Sequence, residues 1–174
     1  MKVIIETPIG QKRYFSLTNA VGLGGFFGHI ILLISFIYFE ITPMVWFNIG
    51  SVLLFVAIYV INRFGYSTLG LYLGVLEISL HAIIAVLLIG WESGFYFYLS
   101  LVFAVVFLVD KKYDSLGLVV SVLNLIIYIG LLVYTSWYAS PILEVSAEAL
   151  AFYKINNLII SSVLLAIGFY YLFY

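Results

Sequence analysis

A chain of 174 residues that is 66% hydrophobic and only 9% charged, with a mean hydropathy of +1.23, cannot hide its apolar surface in a water-soluble fold of that size, so its solvent is lipid. Seven Lys and Arg against eight Asp and Glu leave no basic footprint for nucleic acid. The absence of cysteine excludes disulfides, thiolate metal sites and covalently attached haem.

In chain order, the N-terminal MKVIIETPIGQKRYF has neither a signal-peptide core nor a cleavage pattern and is expected to be a short aqueous leader over 1–14. Apolar runs of ~20 residues, the length that crosses ~30 Å of hydrocarbon, follow at about 15–39, 43–62, 66–90, 94–109, 116–138 and 151–174. They predict an all-α membrane protein, a bundle of six transmembrane helices forming one domain over 15–174. The fourth helix is the shortest and is expected to begin nearer Trp91 than Phe95. Lys and Arg are retained on the cytoplasmic side during insertion. Lys2, Lys12, Arg13, Arg63, Lys111 and Lys112 share one face if there are six spans, which leaves Lys154 for the other. Both termini are therefore expected in the cytoplasm, with Glu40, Glu92, Glu144 and Glu148 outside. The longest external connection, ASPILEVSAEAL, carries a Ser140-Pro141 helix-start signal and is expected to form a short surface helix, with a plain loop as the alternative. The chain stops at Tyr174 inside an apolar run, and an output part is expected beyond it.

Ionisable groups at bilayer depth cost ~2.5–3.5 kcal/mol by insertion scales, so each is a candidate for function. His29, Glu77 and His81 qualify. An external acidic residue lies eleven positions past each histidine (29 to 40 and 81 to 92), which at 1.5 Å per residue puts both imidazoles ~16 Å below the outer interface. Two imidazoles at one depth on parallel helices suit axial ligation of one b-type haem from its two faces. Gly22 and Gly25 share the face of His29, and Gly70, Gly74 and Glu77 share that of His81. Glycine there leaves room for a porphyrin, although Gly24/Gly28 and Gly70/Gly74 equally suit close helix packing. The competing reading of each histidine is a neutral imidazole bonded across helices. Zinc is disfavoured, because only Glu77 stands near enough to complete a ligand set. Glu77 is either a proton or quinone partner or a protonated acid bonded within the bundle. Trp91, Ser93, Tyr96 and Tyr98, with Lys154, are candidate anchors for haem propionates, against the ordinary reading of an interfacial aromatic belt. Asn124, Asn156 and Asn157 read as polar glue between helices. The glycines of GLGGFFG are no dinucleotide loop, since no strand precedes them.

The string HAIIAVLLIGWESGFYFYL from His81 to Leu99, a glycine-flanked histidine in the first helix and FNIGSVLLFV in the second resemble the six-helix membrane domain found ahead of bacterial adenylate/guanylate cyclase or diguanylate cyclase catalytic domains. The resemblance implies a multi-pass sensory module of the bacterial inner membrane that controls a cytoplasmic cyclase as a homodimer, with His29 and His81 as its paired membrane histidines. This chain would not itself be an enzyme. Its input would be a membrane quinone, a gas or another small redox ligand. Two alternatives remain open: a cofactor-free receptor or anchor for an apolar signal, and an electron-transfer cytochrome b. Two histidines permit only one bis-histidine haem, which disfavours the second, and no paired broken helices mark a transporter.

Overall fold

The computed structural model describes residues 8–109, 115–137 and 140–173, and they are helical almost throughout, with no strand among them. The helices are α1 (Pro8–Tyr38), α2 (Thr42–Arg63), α3 (Ser67–Ile89), α4 (Phe97–Val109), α5 (Ser115–Trp137) and α6 (Ala147–Phe173), with a single 3-10 turn at Trp91–Ser93 between α3 and α4. Five of them, all but α4, contain a stretch long and apolar enough to cross a membrane. The 13 residues of α4 rise only ~20 Å, short of the ~30 Å hydrocarbon thickness.

Helix α1 opens on Pro8, inside the expected leader. Proline suits a first helical position, where its missing N–H is not needed, and the Gln-Lys-Arg stretch behind it propagates a helix well. Residues 1–7 of the leader lie outside the described residues. The shortness of α4 has a backbone cause. Gly90 and Gly94 adopt φ of 104° and 76°, conformations that side chains disfavour, so the chain leaves α3, makes the 3-10 turn and re-enters helix only at Phe97.

The chain divides into two compact units, Met1–Glu77 and Ile78–Tyr174, with the division falling inside α3. In the first, α2 turns Met44, Asn48, Ser51, Phe55, Ile58 and Asn62 inward at three- and four-residue spacing. It ends in a Schellman motif: Tyr66 N–H reaches Ile61 O at 3.2 Å and Gly65 N–H reaches Asn62 O at 3.0 Å, with Gly65 at φ 88°. Close approach explains two further glycines. A Cβ on Gly70 would stand 2.8 Å from Thr18 Cγ2, and one on Gly74 would stand 2.7 Å from Val21 Cγ1. That is small-residue helix packing. Gly24 and Gly28, the other such pair in the sequence, meet nothing within 4 Å. Asn62 Nδ2 donates to Phe15 O and to Asn19 Oδ1, both at 2.9 Å, and Thr18 Oγ1 donates to Ser67 O at 2.9 Å.

In the second unit α4 packs against α5 and α6, and the 3-10 turn packs against α6. Ser79 of α3 donates to Asn124 Oδ1 of α5 at 2.7 Å, the interhelical glue expected of that asparagine. Over 140–146 the connection before α6 is a loop, with no surface helix among these described residues. Ile142 and Leu143 give their N–H groups to Leu87 O and Leu88 O, at 3.2 and 2.9 Å, satisfying carbonyls at the end of α3 instead of closing a helical turn. The Ser140-Pro141 signal fails for that reason, and Ser146 is the working cap, its Oγ accepting from Ala149 N–H at 3.2 Å.

Candidate metal or proton site at His29, Glu77 and His81

His29 lies on α1, and its ring and backbone are gripped by one residue of α2. The imidazole Nδ1 and Asn48 Oδ1 are 2.6 Å apart, while Asn48 Nδ2 donates to the His29 carbonyl at 2.6 Å. The second bond fixes the amide: its nitrogen faces a carbonyl, so its oxygen faces the ring. An oxygen there only accepts, hence Nδ1 carries the hydrogen and donates it. Asn48 is fully buried, and two interhelical bonds at such a place are worth ~0.6–2 kcal/mol each. The Phe55 ring stacks on the imidazole, with centroids 5.0 Å apart and planes at 25°.

With Nδ1 committed, Nε2 is the reactive atom of His29, and it stands 3.2 Å from Glu77 Oε2 of α3. His81 follows Glu77 by four residues on the same unbroken helix, so the two side chains share a face one turn apart. The His81 ring packs against Phe95, centroids 5.6 Å apart. His29, Glu77 and His81 are all buried and together form the one His/Asp/Glu group among the described residues that suits a metal ion. Such an arrangement supports two kinds of chemistry. A carboxylate and an imidazole at 3.2 Å can share a proton, and two imidazoles with a carboxylate can take a cation. An imidazole whose other nitrogen donates to an oxygen is the usual form of a metal-ligating histidine, since that bond fixes the tautomer and turns the lone pair outward.

Among the residues expected to line a haem pocket, Gly25 faces the Phe55 ring, which occupies the place a Cβ would take. The glycine faces of α1 and α3 are thus filled by Phe55, Thr18 and Val21. Trp91, Ser93, Tyr96, Tyr98 and Lys154 are gathered around the 3-10 turn and the start of α6, where they satisfy one another and their neighbours. Trp91 lies flat on Tyr96, centroids 4.0 Å apart at 7°. Ser93 Oγ donates to Gly90 O at 2.6 Å, Tyr98 donates to Asn157 Oδ1 at 3.1 Å, and Asn157 Nδ2 donates to Ser93 O at 3.0 Å. Lys154 Nζ meets Glu92 Oε2 at 2.7 Å, with both side chains exposed. Asn48, which the sequence reading passed over, stands in FNIGSVLLFV as a lone amide inside a membrane-length apolar run. That isolation was its only signal.

Fold and site together define an all-helical protein of membrane character with a buried His–Glu–His cluster. Comparison with protein-family models, with curated proteins and with solved structures finds no match to this chain.

Proposed function

We propose that the chain is a six-span sensory module of the bacterial inner membrane, with both termini in the cytoplasm, whose functional centre is a metal held by His29, Glu77 and His81. In this reading α4 is the sixth span, and the module acts as a homodimer governing a cytoplasmic nucleotide cyclase. The observation that carries the metal centre is the Asn48 clamp, which fixes the His29 tautomer and turns Nε2 towards Glu77. That tautomer leaves the Nε2 lone pair facing Glu77, where a metal ion or a shared proton fits.

The distance of 3.2 Å between His29 Nε2 and Glu77 Oε2 favours a single ion taken by two imidazoles and one carboxylate, a three-ligand set with an open position, as in zinc sites that bind a further small ligand. The second reading is a b-type haem with His29 and His81 as axial ligands, favoured by the equal depth of the two histidines in the sequence. Such a group would supply redox and gas-binding chemistry. Its fit is poorer, because Glu77 stands beside the nitrogen that iron would use and Phe55 fills the face of Gly25. In either reading Asn48 orients His29, Phe55 keeps water from its ring, and Glu77 holds the compensating negative charge or its proton.

One preparation tests both readings: protein purified from cells replete in iron, zinc and haem, analysed for metal content and absorbance. A stoichiometric metal without a Soret band supports the single ion, and a Soret band supports haem. In both cases His29→Ala and His81→Ala should lose the metal or change its spectrum. Parent protein with neither metal nor colour overturns the proposal.

A further inference from the structure

The aromatic packing around His81 leads to α6. Phe95, just after the 3-10 turn, is fully buried, with its ring 5.6 Å from that of His81 on one side and 5.7 Å from that of Tyr153 of α6 on the other. Tyr153 is fully buried as well. The backbone beside Phe95 is pressed onto α6: a Cβ on Gly94 would stand 3.1 Å from Lys154 Cα, in a φ of 76° that glycine alone adopts without strain. Asn157 then pins the turn from the same helix by its bond to Ser93 O. His81 therefore has no soft neighbour in this direction. A ring rotation or shift at His81 meets Phe95, Phe95 meets Tyr153, and the turn carrying Phe95 is fastened to α6 at two points. Close-packed interiors transmit such displacements because they lack free volume to absorb them.

We infer that Phe95 is a positioning residue for His81 and, with Tyr153, couples the liganded state of His81 to helix α6. The inference rests on the metal-site reading and adds to it the element that responds. Coupling of this kind is reciprocal: whatever α6 does to Tyr153 alters the affinity at His81 to the same degree that binding at His81 alters α6. A ring that served only to fill space would affect folding stability and leave both affinity and the α6 response alone.

The test uses the full chain in lipid nanodiscs with Co2+ alone as the probe, its visible bands reporting imidazole and carboxylate ligation. Because the chain has no cysteine, Ile155→Cys, an exposed position on α6, carries a single spin label. In the parent, Co2+ should change the label spectrum. In Phe95→Ala and Tyr153→Leu the Co2+ affinity should fall about tenfold, within the roughly 5–150-fold range of measured couplings, and the label response should vanish. Phe95→Leu keeps most of the volume and should lie between; it carries the test if the alanine variant unfolds. Co2+ bands that depend on His29 and His81 but ignore Phe95 and Tyr153 overturn the relay and leave the site standing. A parent without such bands removes the site reading and the relay with it.

Discussion

The two polar clusters of this protein are built on opposite principles. Around His29, on α1 to α3, one amide is spent entirely on holding one imidazole, and the bond it makes leaves Nε2 directed at Glu77. Around the 3-10 turn, Ser93, Tyr98 and Asn157 satisfy backbone and one another, and the charged pair Glu92–Lys154 lies in the open. The turn is a structure completed by its polar groups. The histidine cluster ends on side chains instead, with His29 Nε2 facing Glu77 Oε2 at 3.2 Å, and the proposed metal site rests on that contact. Polar side chains inside an apolar fold either complete the backbone's hydrogen bonding or offer an atom to a ligand, and which of the two applies depends on where the bonds end.

The sharpest way to break the first cluster is through its packing. Gly25→Leu or Gly74→Leu forces a branched chain into the places of Phe55 and Val21; overpacking of this sort costs roughly 1–3 kcal/mol and more where backbone must move. Both variants should lower the thermal unfolding midpoint strongly and weaken metal binding at the proposed site. Gly24→Leu and Gly28→Leu meet nothing within 4 Å in this chain and should fold as the parent does in dilute detergent. Equal losses at all four positions would contradict the packing described for α1.

Asn48→Ala against Asn157→Ala sharpens the comparison further. Each removes a buried amide with two bonds, so each leaves partners unsatisfied at a cost of ~1–3 kcal/mol, and their thermal losses should be similar. Metal content separates them. Without Asn48 the His29 ring is free to turn and to take either tautomer, so ligation should weaken ~10–100-fold, the usual effect of losing the group behind a ligating histidine. The Asn157 variant should bind metal at the proposed site as the parent does. Similar metal loss in both would mean that affinity follows stability alone.

How much of this was legible follows the same division. Four apolar runs became helices within a few residues of their expected limits, because length and hydropathy decide a membrane helix locally, whereas the first helix began at Pro8, well inside the expected leader. The fourth run was legible as the shortest, but its helix starts at Phe97 and not near Trp91 as expected, since that start depends on Gly90 and Gly94 in conformations that no periodicity reveals. The Schellman end of α2 could be anticipated from Gly65 after Arg-Phe. The loop at 140–146 could not, because its N–H groups go to carbonyls of α3, more than fifty positions back. His29 and His81 stood out by chemistry, and Glu77 by charge. Asn48 was missed since an asparagine in an apolar run has many possible partners, and only folding shows that it has chosen the ring and carbonyl of one histidine.

The smallest effect belongs to Lys154 and Glu92. Their 2.7 Å contact is the shorter of the two acid–base contacts described, yet both side chains are exposed, and pairs surrounded by water lose in desolvation and side-chain entropy most of what they gain in attraction. If the 3-10 turn stands at the aqueous face of the membrane, as the six-span topology requires, Lys154→Ala and Glu92→Gln should each leave the thermal midpoint and the metal content close to those of the parent, and the double variant should match either single one. Any small loss should shrink in ~1 M salt, where the screening length falls to ~3 Å. Lipid around the pair reverses these expectations: an unpaired charge left in a medium of low dielectric is costly, so each single variant would fall well below the double, and salt would not rescue it. That pattern would place the turn inside the hydrocarbon, remove the space for α4 as a sixth span, and put both ends of the chain on opposite sides of the membrane, an arrangement that reporters fused after Ser146 and after Tyr174 would register independently.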